Sequence, residues 1–278
     1  MSPATSRRER NPGAPRLFKQ PVIRGASTVV AVLAFLCATG AVALAATQIG
    51  TEGPDRLSGT AAPDQLYGEA GDDQLLGFGS NDYLEGGPGN DQVEGADGIE
   101  LVIAGTGDDR VDAGPGNDVV YAGAGADLVL GGPGADTLLG QADADRLFGG
   151  GGNDTIYASL GGDFVDAGSG RDRVYSDEGD LTIDAGPGND VVSAIGGRIA
   201  VNGRAGNDRI RTGPFDDEVT GGLGADSIDS ASGDDTIQVA DKQRDRVECG
   251  PGQDSVVADA VDLLSGCEDI RTRRARIG

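Results

Sequence analysis

Apolar side chains in most of this chain recur at neither the helical period nor the two-residue period of a strand, but singly at every ninth residue. Leu57, Leu66, Leu75, Leu84 and Val93 open a series that runs without a break to Val219, Ile228 and Ile237, with Leu, Val or Ile at all 21 steps. An aspartate stands two residues ahead of 18 of them, from Asp55 to Asp235, the exceptions being Glu100, Leu181 and Ile199. Glycine holds the place two before the aspartate at most steps (Gly89, Gly107, Gly116, Gly134), and small residues hold the place four after it. A fixed period of this kind signals stacked units, none of which buries its apolar face alone. In the segment GGPGADTLLG, Gly131 to Gly140, local propensity by itself leaves a loop, because Gly and Pro disfavour the interiors of helices and strands alike. Something beyond propensity has to hold it.

One segment departs from the period. Residues 27–46, STVVAVLAFLCATGAVALAA, carry no charge and follow a stretch containing Arg7, Arg8, Arg10, Arg16, Lys19 and Arg24. A basic start, an apolar run and the small residues of Ala43-Leu44-Ala45 are the parts of a secretory signal peptide, expected as an apolar helix within residues 1–46. The alternative is an uncleaved anchor formed by residues 27–46, its basic end inside. Either way the remainder is expected outside the cytoplasm, secreted or held at the cell surface.

Composition narrows the chemistry. There is no Trp and only 11 Phe plus Tyr, against 49 Gly, so an ordinary packed core lacks its usual material. The absence of histidine excludes a Ser/His/Asp triad, a Cys/His pair and a His-Glu-x-x-His zinc site. Beyond residue 46, 16 basic side chains face 45 acidic ones, a net charge of −29. Such a polyanion repels nucleic acid and anionic membranes, and its natural partners are cations.

Complete copies of a six-residue unit stand at GGPGND (Gly86 to Asp91), GGPGAD (Gly131 to Asp136), GGGGND (Gly149 to Asp154) and GGLGAD (Gly221 to Asp226), among near copies such as AGTGDD and AGPGND. With the aliphatic residue that follows, the unit resembles the repeats-in-toxin (RTX), or hemolysin-type, calcium-binding nonapeptide G-G-x-G-x-D-x-U-x, over about 190 residues. The resemblance implies an all-β fold, a right-handed parallel β-roll (β-solenoid) in which each nonapeptide is half a coil. A six-residue turn leads into a strand of about three residues, the aliphatic side chain enters a thin core, and the aspartates line two edges. Each Ca2+ then lies between one turn and the turn 18 residues on, a setting that suits an ion taking six to eight hard oxygens in loose geometry. One aliphatic side chain per nine residues buries too little to offset the ordering entropy, and stacked carboxylates repel one another. Folding is therefore expected to require the ions.

Because turns alternate between edges, each edge is read separately. The first carries Asp118, Asp136, Asp154, Asp172, Asp190, Asp208 and Asp226, seven turns expected to enclose about six Ca2+ ions. Glu100 interrupts it below Asp118 and is expected to leave Asp64 and Asp82 isolated. The second edge has good turns at Asp91, Asp109 and Asp127, weak ones at GQADAD (Asp145) and ASLGGD (Asp163), and no carboxylate at Leu181 or Ile199. Asp235 completes the set of expected metal ligands.

The expected organisation is a signal peptide or anchor over 1–46, a leader over 47–54, the calcium-binding roll over 55–243, a capping coil over 244–270 and a basic tail over 271–278. Cys249 and Cys267 lie one coil apart, which in a β-roll puts them in adjacent layers within reach of a disulfide. On the outer face, Ile103, Tyr121, Leu139, Tyr157 and Tyr175 fall in one column. It is either a ladder that stabilises its own sheet or a docking stripe for a cell-surface glycan or protein. No enzyme is expected, since paired-carboxylate hydrolysis needs a cleft that a uniform roll does not offer. The function expected is calcium capture coupled to folding in a structural or surface role, with a calcium-dependent adhesin or glycan-binding protein as the alternative.

Overall fold

The computed structural model describes residues 44–272. The segment expected as a signal peptide or anchor, with its expected apolar helix, lies outside them except for residues 44–46, as does the expected basic tail except for Arg271 and Thr272.

Twenty-six short strands and no helix make up the described residues. Successive strands alternate between two parallel sheets of 13 strands each, sheet one beginning with Thr47–Ile49 and sheet two with Arg56–Ser58. Neighbours within a sheet are 18 residues apart: Leu138 pairs with Ile156 and Ile156 with Val174 in sheet one, Val129 with Leu147 in sheet two. Each nonapeptide is thus half a coil of a parallel β-solenoid.

The middle residue of each strand points inward, and Leu66, Leu138, Leu147, Ile156 and Ile237 have no exposed surface. A small residue two places on, such as Ala104, Ala122 or Ala158, fills the rest of the interior. The core is one aliphatic and one small side chain deep per half coil. Some turn places are tight: at Gly152 the backbone has φ 131°, and a Cβ there would strike the carbonyl of Gly134 in the coil before.

The solenoid reaches further than the nine-residue period. Thr47–Ile49, expected as a leader, is a strand paired with Gln65–Tyr67. Gln48 takes the inward place there, accepting a hydrogen bond from the Ser58 N–H at 3.3 Å and donating to the Ser58 carbonyl. A polar side chain thereby covers the open end of the core, as terminal units of a solenoid must. At the other end, one extra residue between Asp226 and Asp245 is absorbed in a turn with Lys242 at φ 83°, so Ser227 pairs with Arg246. The last coils are shorter, with Arg246 opposite Leu263 and Ser255 opposite Asp269. Residues 244–272 therefore continue the roll, and the expected boundary at 243 falls inside it. Cys249 and Cys267 are paired across neighbouring coils, their Cα atoms 5.3 Å apart.

All five tyrosines, Tyr67, Tyr83, Tyr121, Tyr157 and Tyr175, lie in strands of sheet one on its outer face. The rings of Tyr157 and Tyr175 stack at 5.4 Å with planes 23° apart. Each ring covers one face of the other, which is the arrangement of a cross-strand ladder.

Candidate metal centre

The aspartate of each repeat ends its turn and precedes a strand, a place that turns its side chain between the coils. On the first edge, Asp118, Asp136, Asp154, Asp172, Asp190, Asp208 and Asp226 are all buried. One carboxylate oxygen of each of the last six is engaged: Oδ1 accepts the backbone N–H of the aspartate 18 residues earlier, at 2.8 to 2.9 Å along the row from Asp136 to Asp226. The second is not. Oδ2 of every member of the row is buried without a hydrogen-bond partner. An outer ladder runs the opposite way: Asn117 Oδ1 accepts the Ala135 N–H and Asn189 Oδ1 the Asn207 N–H. Each turn is thus tied to both neighbours.

A buried carboxylate with an orphaned oxygen is costly. Burial pushes the carboxyls of Asp136, Asp172 and Asp208 up to about 7 from an ordinary 3.8, and neighbouring aspartates in the row add to it. The backbone N–H donors work against this but do not cancel it.

The residues fit a hard cation. A Cβ placed on Gly131 would lie 2.7 Å from Asp136 Oδ2 and 2.7 Å from the carbonyl oxygen of Gly149 one coil on. At Gly77 the same probe meets Asp82 Oδ2 and the Gly95 carbonyl, both at 2.6 Å. An unpartnered carboxylate oxygen and an inward carbonyl therefore face one small space that the absent side chain keeps open. The donors are all oxygen, which selects calcium-like ions over zinc or copper. Among the described residues, no three carboxylates or thiols converge on one point. An ion between coils would therefore be held by carboxylates from successive turns together with backbone carbonyls.

The remaining expected ligands, Asp91, Asp109, Asp127 and Asp235, are buried in the same way on the second edge with Oδ2 unpartnered. Also buried with Oδ2 unpartnered, though not among the expected ligands, are Asp73, Asp145, Asp163, Asp217 and Asp254 on the second edge and Asp82 and Asp245 on the first. Asp64 and Asp82 are not isolated: the Asp64 N–H donates to Asp82 Oδ1 at 2.8 Å. The first-edge row breaks only between Asp82 and Glu100. The extra methylene carries the Glu100 carboxyl past the usual place, both its oxygens lack partners, and burial together with Asp118 pushes it up to about 8. The weak turns before Asp145 and Asp163 keep the geometry by holding Gln141, Asp143 and Ser159 at φ 78°, 76° and 69°. The nine-residue spacing alone was the signal for these sites, and the missing glycines obscured it.

The second-edge gap is as expected. Leu181 and Ile199 are buried where carboxylates would stand, and pair with each other across sheet two. Their strands, Leu181–Asp184 and Ile199–Asn202, start one residue early, and the Leu181 N–H donates to the Arg198 carbonyl at 3.0 Å. An apolar contact replaces an oxygen-lined space.

Stacked coils with orphaned carboxylate oxygens between them define a cation-binding parallel β-solenoid. The profile of the RTX calcium-binding nonapeptide repeat matches residues 49–79, 58–93, 76–98, 94–129, 130–165, 157–192 and 202–237, and the chain belongs to that family. The matches skip residues 193–201, the stretch that contains Ile199. No curated protein matches the chain.

Proposed function

We propose that this chain is an exported calcium-binding module whose β-roll is completed by ion capture and which serves a structural or surface role. The row of buried, unpartnered Oδ2 atoms carries the reading, because a fold that leaves so many carboxylate oxygens orphaned needs a counter-ion for each intercoil space. Asp118, Asp136, Asp154, Asp172, Asp190, Asp208 and Asp226 are the ligands on the fuller edge, for about six ions, with Asp91, Asp109, Asp127 and Asp235 on the other. Bound calcium supplies the positive charge that the carboxylates otherwise lack. A disulfide between Cys249 and Cys267 closes the last coils, consistent with an oxidising environment. The stacking of Tyr157 on Tyr175 supports a sheet-stabilising ladder in preference to a glycan platform, because each ring covers one face of the other.

Circular dichroism of the chain during a calcium titration tests this. At pH 8, strand signal should appear with calcium and vanish in excess chelator. Full strand signal and an unchanged melting temperature in chelator would overturn it.

A further inference from the structure

The second edge changes character over four consecutive turns, those ending at Asp163, Leu181, Ile199 and Asp217. Inside, Leu181 and Ile199 replace carboxylates. Outside, Leu160, Ile195 and Phe215 are 51%, 41% and 46% exposed, and no other turn of this edge between residues 50 and 254 exposes a large apolar side chain. A groove of about 410 Å³ adjoins these turns, lined by Leu181, Ile199, Asp163, Asp180, Asp216 and Glu218 among others, with Leu160, Ile195 and Phe215 outside its lining. Asp163 is 2% exposed with Oδ2 unpartnered.

The charge around this groove is one-sided. Asp177, Glu178, Asp180, Asp216 and Glu218 are exposed on these turns and the adjoining strand. Arg198 is the one cation lining the groove, and it stands 4.0 Å from Asp216. Leu181 and Ile199 offer no donor to a metal, so this stretch of the edge carries the exposed Leu160, Ile195 and Phe215 beside an acidic groove. We infer that these exposed turns and the acidic groove beside them form a docking surface for an extended segment of a partner protein carrying apolar side chains flanked by Lys or Arg. Leu160 and Phe215 are three coil steps apart, about 14 Å at the spacing of neighbouring strands, which is the length of about four extended residues. Apolar anchors at Leu160, Ile195 and Phe215 supply contact energy, while the acidic rim supplies orientation and steering.

The test is fluorescence anisotropy of a labelled lysine–leucine peptide with the full, calcium-loaded chain, compared with lysine–glycine and glutamate–leucine peptides. Saturable binding of the lysine–leucine peptide alone is expected. Ile195→Ser with Phe215→Ser leaves the charge unchanged and should weaken binding at least about tenfold. Leu181→Asp with Ile199→Asp restores the carboxylate row and should weaken the peptide while raising the calcium stoichiometry. Equal binding to the serine variant, which would report attraction to a polyanion at large, overturns the inference, as does equal binding of the lysine–glycine peptide. Circular dichroism in calcium verifies each fold, and the two serine changes lie on exposed turns, so they stay decisive if the aspartate variant fails to fold.

Discussion

Over the same coils, the two edges of this solenoid hold their turns together by different means. The first edge sets Asp172, Asp190 and Asp208 in an unbroken buried row, each with one oxygen left without a hydrogen-bond partner. The second sets Leu181 against Ile199 and needs none. A turn of this shape therefore tolerates either an ion or a hydrocarbon contact, provided the opposite edge is intact. What the coil does not tolerate is a carboxylate without a counter-charge, since neighbouring carboxylates repel in a partly dehydrated space.

Removing the ions from both edges at one level should have the largest effect. Asp172→Ala with Asp190→Ala empties the first edge opposite the second-edge gap, leaving those coils with neither support on one side nor ions on the other. Calorimetry in calcium should show the single melting transition split into two, because coils interact only with their neighbours. The same pair of changes at Asp118 and Asp136 faces an intact second edge at Asp127, and one transition should remain. Two transitions in both variants would remove the distinction between the edges.

Single substitutions sharpen it. Leu181→Ala should destabilise the calcium-loaded chain by about 2–5 kcal/mol through the cavity it leaves, with the calcium stoichiometry unchanged. Asp172→Ala should instead lower the stoichiometry by about two ions, one on each side of its turn, which equilibrium dialysis would count.

Acidity separates the two kinds of support again. In chelator, the first-edge carboxyls of Asp136, Asp172 and Asp208 are raised by burial to about 7, above the 3.8 of the unfolded chain. The folded state then binds more protons, so its ion-free stability is fully present below about 4 and is lost as pH rises through about 7. Strand signal in chelator should therefore increase from pH 8 to pH 5. With calcium present the proton competes for the same oxygens, and calcium affinity should fall over that window. A pH-independent signal in chelator would contradict the burial of these groups.

The smallest expected effect concerns the strained second-edge turn before Asp145. Gln141→Gly and Asp143→Gly relieve left-handed backbone at φ 78° and 76°. Each should stabilise the chain by about 0.5–1 kcal/mol, the relief being partly offset by added freedom in the unfolded chain. Thermal melts in saturating calcium would show it.

Much of this was legible in the chain itself. The nine-residue period located the aliphatic and aspartate places, its resemblance to a β-roll family implied the 18-residue register and the two edges, and Leu181 and Ile199 marked the gap. Turn quality was a poorer guide: the turns ending at Asp145 and Asp163 looked weak because Gln141 and Ser159 replace the second glycine of the motif, yet a side chain can occupy the left-handed region at moderate strain. Gln48 was invisible because a polar residue in an aliphatic place reads as the end of the repeat, whereas at a terminal coil it covers the core. The exposed Leu160, Ile195 and Phe215 lie in variable places of the unit and acquire a common side only once the coil is closed.

The sameness of the 18-residue register has a consequence for length. Excising one coil from the regular part of the roll, from one first-edge aspartate to the next, brings together two ends that already match, and every inward aliphatic residue, buried aspartate and outer asparagine finds an equivalent partner. The rod is thus a ruler with graduations of about 4.8 Å, which insertion or loss of whole coils can lengthen or shorten without redesigning a single contact.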